Sequence, residues 1–375
     1  MMRKHLLCLA FAVATLASCG KKEEAPRSAV DTGEEKVLNI YNWPDYIPEG
    51  MVADFEKETG IKVNYDTFET NEALHAKLMA GNTGYDIVVP GAVFAKPQIE
   101  GGLLQALDKS QLPNLAHLDP EVMKTLSRAD PDNRHLVPWA WSFTTVGINR
   151  TLARRVLGDA PLPDNAWELV FNPDYTKRLK ACGIAFLDSP TEIIPAALHY
   201  LGKNPYSGRP DDYRAATQML AAVRPDIRLF SSTMIDDVAG GKACVVVGWA
   251  GDINIAAVRA KENGSEDVIE ALLPRTGGLS FFDTMALPKD AKHPGNAHAF
   301  INFYLRPDNA ARLANEMNYN AGNRAALAQV DPEIARNKTI FLEPADMGRL
   351  VPPGSFSNEA REAMASAYNA FKQGK

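Results

Sequence analysis

Four short stretches of this 375-residue chain set aromatic rings beside acids or amides: Trp43, Asp45 and Tyr46; Trp249 and Asp252; Phe281, Phe282 and Asp283; and Tyr319 between Asn318 and Asn320. The combination suits one kind of guest. An alkyl diammonium ion presents three N–H donors and no acceptor at each end, so it asks for carboxylates there. Its methylenes ask for apolar walls. Ring faces serve both needs, covering CH2 groups and attracting a cation by about 0.5–2 kcal/mol each. Taken singly, each stretch reads first as turn filling or core packing. Taken together, they favour a cage for something cationic.

Whether they can meet depends on the elements that carry them. A strand over 37–41 leads to a helix over 49–59, stopped by Gly60. A strand over 61–68 follows, then a helix opened by Thr70-Asn71-Glu72 that ends near Gly81, then a buried strand over 85–90. Strand, helix, strand, helix, strand at this spacing predicts a parallel sheet with crossovers. In such open sheets ligands bind outside the carboxyl ends of the strands. YNWPDYI (41–47) and Pro90-Gly91-Ala92 both leave such ends. The long aromatic β-rich run over 137–148 suits a strand passing from one domain to another. A second α/β pattern follows: strands over 184–187 and 243–248, helices over 192–201 and 211–223, a strand over 279–285, and helices over 298–305 and 307–317. Trp249 and Asp252 again follow a strand end. No internal repeat is visible, and the length suggests about two domains.

Composition narrows the class. At 46% apolar and 23% charged residues the chain is globular, and its net charge of −6 gives no electrostatic support for nucleic-acid binding. Arg3-Lys4, an apolar stretch over 6–16 and then Leu16-Ala17-Ser18-Cys19 form a secretory signal ending in a bacterial lipoprotein box, with Cys19 as the lipidated first residue. Residues 1–18 are thus expected to be removed, and 19–35 to form the lipidated cysteine and a polar tether. The folded part is expected in the periplasm, held to an envelope membrane by its lipid. Of the four cysteines this leaves Cys182 and Cys244 as thiols in an oxidising compartment, and they are expected to form one disulfide.

Enzymatic signatures are missing. The chain has no H-E-x-x-H, G-x-S-x-G or G-x-G-x-x-G, and Gly240-Gly241-Lys242-Ala243 lacks the Ser/Thr and spacing of a phosphate loop. No metal or cofactor is expected. A cysteine nucleophile at Cys182 or Cys244 stays conceivable if the two are not bridged.

At this point a resemblance enters. YNWPDYI, FEKETGIKVNYD, KLMAGNTGYDIVVP, LDKSQLPN, GWAGD, FFD and INFYLRPD resemble the periplasmic polyamine-binding components of ABC importers, most of all their putrescine-binding branch. The resemblance runs from about 37 to 323 and more loosely beyond, and Cys182 and Cys244 fall where that branch carries a cysteine pair. It implies an α/β, two-lobed periplasmic binding protein-like fold (type II), whose discontinuous lobes are joined by a hinge: 36–142 with 254–306 as one, 143–253 with 307–375 as the other. By motif, Trp43, Tyr46, Trp249, Phe281 and Tyr319 would form an aromatic box. Asp45, Asp252 and Asp283 would hold the ammonium ends, Glu192 would add a carboxylate and Ser231 a hydroxyl. The implied partners are putrescine or spermidine and a membrane permease, with the protein acting as a monomer.

Two positions depart from the family pattern. Pro44 stands where a Ser or Thr is usual, and Gly91 where a serine is common. Both remove hydroxyls from the expected cleft. Four carboxylates against a dication leave two negative charges in excess, and against a trication one, so charge counting does not choose between putrescine and spermidine. A polyamine sensor that hands its ligand to a signalling partner would carry the same pocket.

Overall fold

The strand Val37–Asn42 turns Leu38, Ile40 and Asn42 inward and leaves the residues between them half-buried. The structure is a computed structural model that describes residues 32–44, 46–231 and 233–374. Val37–Asn42 lies between Lys62–Thr67 and Ile87–Val88, both parallel to it. Parallel neighbours need crossovers, and the helices Met51–Thr59 and Asn71–Ala80 supply them. The second starts where Thr70 accepts the Ala73 N–H at 3.1 Å. The first stops at Gly60, whose φ of 72° a side chain would disfavour.

The larger sheet is built around Val137–Asn149, thirteen residues that are all buried. Leu279–Met285 runs antiparallel on one side and Val245–Trp249 on the other, followed by Ile184–Leu187 and Leu229–Ser231. Ile269–Leu272 pairs with the far end of the long strand. Both faces are covered by helices and loops, which is why this strand reads as a near-continuous apolar run.

Two lobes follow from where side chains pack. Trp139 and Ala140 share a core with Leu38, Ile40, Phe55, Phe300 and Tyr304. Trp141 and Phe282 join an adjoining cluster with Phe68, Leu74 and Val88. Phe143, Val146 and Ile148 belong instead with Trp167, Phe186, Val247 and Phe371. The long strand therefore leaves one core and enters the other between Trp141 and Phe143. Its partner makes the same passage between Leu279 and Phe282. A third connection runs back through the segment ending at Val351, which pairs with Leu279.

The lobe boundaries differ from those expected. Ala256, Ala260, Ile269 and Ala271 pack in the second lobe, not with the first. Ala310, Leu313, Ala314, Ala326 and Val330 pack in the first, not with the second. The helix Ala250–Glu262 is held to the second lobe because its Ile253 sits against the bare backbone of Gly147, 2.7 Å from where a Cβ would stand. Nothing local to residues 250–330 encodes that choice. Two further helices, Ala92–Glu100 and Asn358–Gln373, lie in regions whose periodicity had not singled them out.

Cys182 and Cys244 are joined by a disulfide with their Cα atoms 5.5 Å apart. It fastens the turn after the helix Pro173–Leu179 to the start of Val245–Trp249. Cys19 and the segment before residue 32 lie outside the described residues. No helix among the described residues is long and apolar enough to cross a membrane.

Candidate functional site

The ends of two strands, the middle of a third and one turn meet where the lobes face each other. Tyr46, just beyond Val37–Asn42, donates its hydroxyl to Asp283 Oδ2 at 3.1 Å. Tyr319, in the turn after the helix Pro307–Met317, donates to Asp252 Oδ1 at 2.7 Å. The two phenol rings stand edge to face, with centroids 5.5 Å apart. Phe281 lies 6.5 Å from Tyr319 on one side and 6.4 Å from Trp249 on the other. Tyr46 and Tyr319 pack with the first lobe, Trp249 with the second, and Phe281 and Asp283 sit on the strand that joins them. The Tyr319–Asp252 bond thus ties one lobe to the other. Gly251 makes this approach possible, since a Cβ there would stand 2.3 Å from the Tyr319 ring.

Glu192 enters from the first turn of the helix Pro190–Tyr200. Thr144, fully buried on the long strand, donates its hydroxyl to Glu192 Oε2. Thr144 lies opposite Trp249 on one side and Leu279 on the other, so it marks the middle of the join. It carries no recognisable motif, and sequence reasoning missed it.

The acids are crowded but not sealed. Glu192, Asp252 and Asp283 are all half-buried, as are Tyr46, Trp249 and Phe281, while Tyr319 is 5% exposed. Burial pushes the Asp283 carboxyl up to about 7, against the Tyr46 bond and with help from the charge of Glu192. Burial raises Asp252 to about 6, opposed by the Tyr319 hydroxyl. It raises Glu192 as well, against bonds from Thr144 and the Trp249 indole. The phenols of Tyr46 and Tyr319 are lifted above their ordinary range, first by burial and then by the adjacent carboxylates. The site is therefore a negative cleft short of counter-charge, which is costly to keep empty and ionised.

Other residues singled out in the sequence fall differently. Trp43 donates its indole N–H to the Val89 carbonyl at 3.0 Å and leans on Phe68, with centroids 4.5 Å apart. Among the described residues no ring contact links it to the Tyr46–Tyr319–Phe281–Trp249 run. Ser231, 9% exposed, donates its hydroxyl to Asp237 and accepts the Thr233 N–H at 3.0 Å, so it closes a local turn. Asp45 lies outside the described residues. Gly91 pairs with Asp283 in an antiparallel bridge. Its N–H goes to Asn71 Oδ1 at 2.9 Å, and Asn71 Nδ2 lies 3.2 Å from where a side chain at 91 would begin. The Asn71 amide thus fills the space a serine would use.

Residues 50–341 match the family model described as bacterial extracellular solute-binding protein. The chain is 46% identical over 316 residues to the putrescine-binding periplasmic protein PotF of Escherichia coli, covering 84% of this chain and 85% of that one. It is 41% identical over 343 residues to the putrescine-binding periplasmic protein SpuD of Pseudomonas aeruginosa, covering 91% and 93%. Among solved structures, the spermidine/putrescine ABC transporter substrate-binding protein PotD of Streptococcus pneumoniae superimposes with a TM-score of 0.76 at 26% identity, over 91% of this chain and 99% of that one.

Proposed function

The chain belongs to the bacterial extracellular solute-binding proteins, and from that premise we propose that it captures putrescine between its lobes and delivers it to the permease of an ABC importer. The observation that carries this reading is the meeting of Glu192, Asp252 and Asp283 in one aromatic-lined cleft bridged from lobe to lobe by the Tyr319–Asp252 bond. Each ammonium end takes carboxylate oxygens, Asp283 and Glu192 near one end and Asp252 near the other, with Asp45 as a further acid. Tyr46, Trp249, Phe281 and Tyr319 cover the four methylenes and add cation–π attraction. Trp43, set against Phe68 and bonded to the Val89 carbonyl, and Ser231, bonded to Asp237, take no part in this wall.

Function here is differential affinity rather than bond chemistry: a ligand touching both lobes favours the closed arrangement, and closure is what a permease reads. The relatives named above are periplasmic by name, which supports the same compartment for this chain, and the Leu16-Ala17-Ser18-Cys19 box supports a lipid anchor there. Two of the relatives are named for putrescine alone, which favours the diamine over spermidine.

Calorimetry of residues 20–375 against putrescine, cadaverine, spermidine and spermine tests the reading. Putrescine is expected to bind most tightly. Tighter spermidine binding overturns the ligand, and no binding of any amine overturns the function.

A further inference from the structure

The lobes also touch outside this constellation. Arg361 lies in the first turn of Asn358–Gln373, whose Ala360, Met364, Tyr368 and Phe371 pack in the second lobe. Its guanidinium stands 4.1 Å from the ring centroid of Phe94. Phe94 belongs to Ala92–Glu100, whose Ala92 and Ala95 pack in the first lobe, so this stacking crosses from lobe to lobe. Phe94 is 7% exposed, and its neighbour Val93 packs against the core of the second lobe. Two more first-lobe groups, both on Asn71–Ala80, act on Arg361 electrostatically: burial disfavours its charge, the carboxylate of Glu72 favours it, and the guanidinium in turn disfavours a charge on the His75 imidazole. Arg361 Nη1 and His75 Nδ1 are buried with no hydrogen-bonding partner in the protein. A flat cation on an aromatic face in a partly dried contact is a strong form of that attraction. The hydrogen-bonding partners of the three cleft acids are Tyr46, Thr144 and Tyr319, whereas Arg361 lies on Phe94, so this contact is made by other groups than those that meet the amine.

We propose that Arg361 is an affinity-setting clasp: lying on Phe94 of the opposite lobe beside Glu72 and His75, it holds the lobes together and slows release of a ligand it does not touch. The ligand part rests on the reading that putrescine is held between the lobes. A contact made only when the lobes are together multiplies the population of the closed form, and apparent affinity follows that population. Its effect belongs in the dissociation rate, because the contact must break before the cleft opens. It leaves the ranking of amines alone, because it meets no part of the ligand.

The test uses the parent, Arg361→Met and Arg361→Lys. Methionine keeps an apolar stem on the ring, and lysine keeps the charge without the flat fork. Small-angle scattering on ligand-free protein comes first, with circular dichroism to confirm that each variant is folded. The radius of gyration is expected to rise from parent to Lys to Met. Stopped-flow and calorimetry with putrescine are then expected to show about fivefold faster dissociation and weaker binding for the Met variant, with the order of amines unchanged. Identical ligand-free radii in parent and both variants overturn the clasp, whatever the kinetics show. Should the parent bind no amine, the ligand reading fails while the scattering comparison still decides the clasp.

Discussion

Asp283 sits half-buried with Tyr46 donating to one of its oxygens and the charge of Glu192 nearby, and burial holds it up to about 7, as it holds Asp252 to about 6. In an unfolded chain both would titrate at about 4. Between that value and their folded ones the native protein binds more protons than the unfolded chain. Their contribution to stability is therefore full in acid and is lost as pH rises through about 6 and 7. A bound dication needs these acids ionised and reverses the sign. The melting temperature of ligand-free protein is expected to lose this contribution between about pH 4 and 7, while the rise produced by putrescine grows over the same range. Calorimetry near pH 6.5 in buffers of different ionisation enthalpy should register protons leaving on binding; a heat independent of buffer would count against these assignments. Asp283→Asn keeps an acceptor for Tyr46 but removes the charge. It is expected to weaken putrescine by at least about tenfold, or about 1.4 kcal/mol, and Trp249→Ala by a similar amount. A variant that binds like the parent in calorimetry takes its residue out of the site.

At the scale of elements, the paired strands Val137–Asn149 and Leu279–Met285 do two things at once. They carry the chain between cores, and they hold Thr144, Phe281 and Asp283 in the cleft. Backbone pairing on both sides of Thr144 leaves it little freedom, so Glu192 finds its donor in a set place. The disulfide acts elsewhere, inside the second lobe, closing a separation of 62 residues. Chain entropy values such a closure at about 4 kcal/mol. Replacing Cys182 and Cys244 together by serine is expected to lower the melting temperature accordingly and to leave putrescine affinity unchanged, because neither sulfur reaches the cleft. An affinity that falls with the stability would show the second lobe deforming as a whole.

At the scale of the molecule, two lobes with separate cores and three chain connections can move against each other without exposing either core. Putrescine is expected to lower the radius of gyration measured by small-angle scattering. At a hundredfold excess over the dissociation constant it should also add about 2.7 kcal/mol of stability, read from thermal or denaturant unfolding. Binding with an unchanged radius would mean a cleft that is already shut, and would move the selectivity from closure to the pocket walls alone.

Much of this was open to inspection in the chain itself. The alternation over 37–90 is a property of consecutive residues, as are the capping Thr70, the stop at Gly60 and the strand ends before Tyr46 and Trp249, so periodicity and turn chemistry reveal them. The kind of guest was equally legible, since acids beside rings at strand ends have a definite chemistry wherever they lie. What the chain could not display is which distant surfaces meet. Tyr46 finds Asp283 across 237 residues, and Tyr319 finds Asp252 across 67. Trp43 turns to Phe68, Ser231 turns to Asp237, and the helix Ala250–Glu262 joins the second lobe. Those outcomes depend on the fit of whole faces packed at once, where a bare glycine at 147 or 251 decides how close two elements come. No short window of residues contains that information.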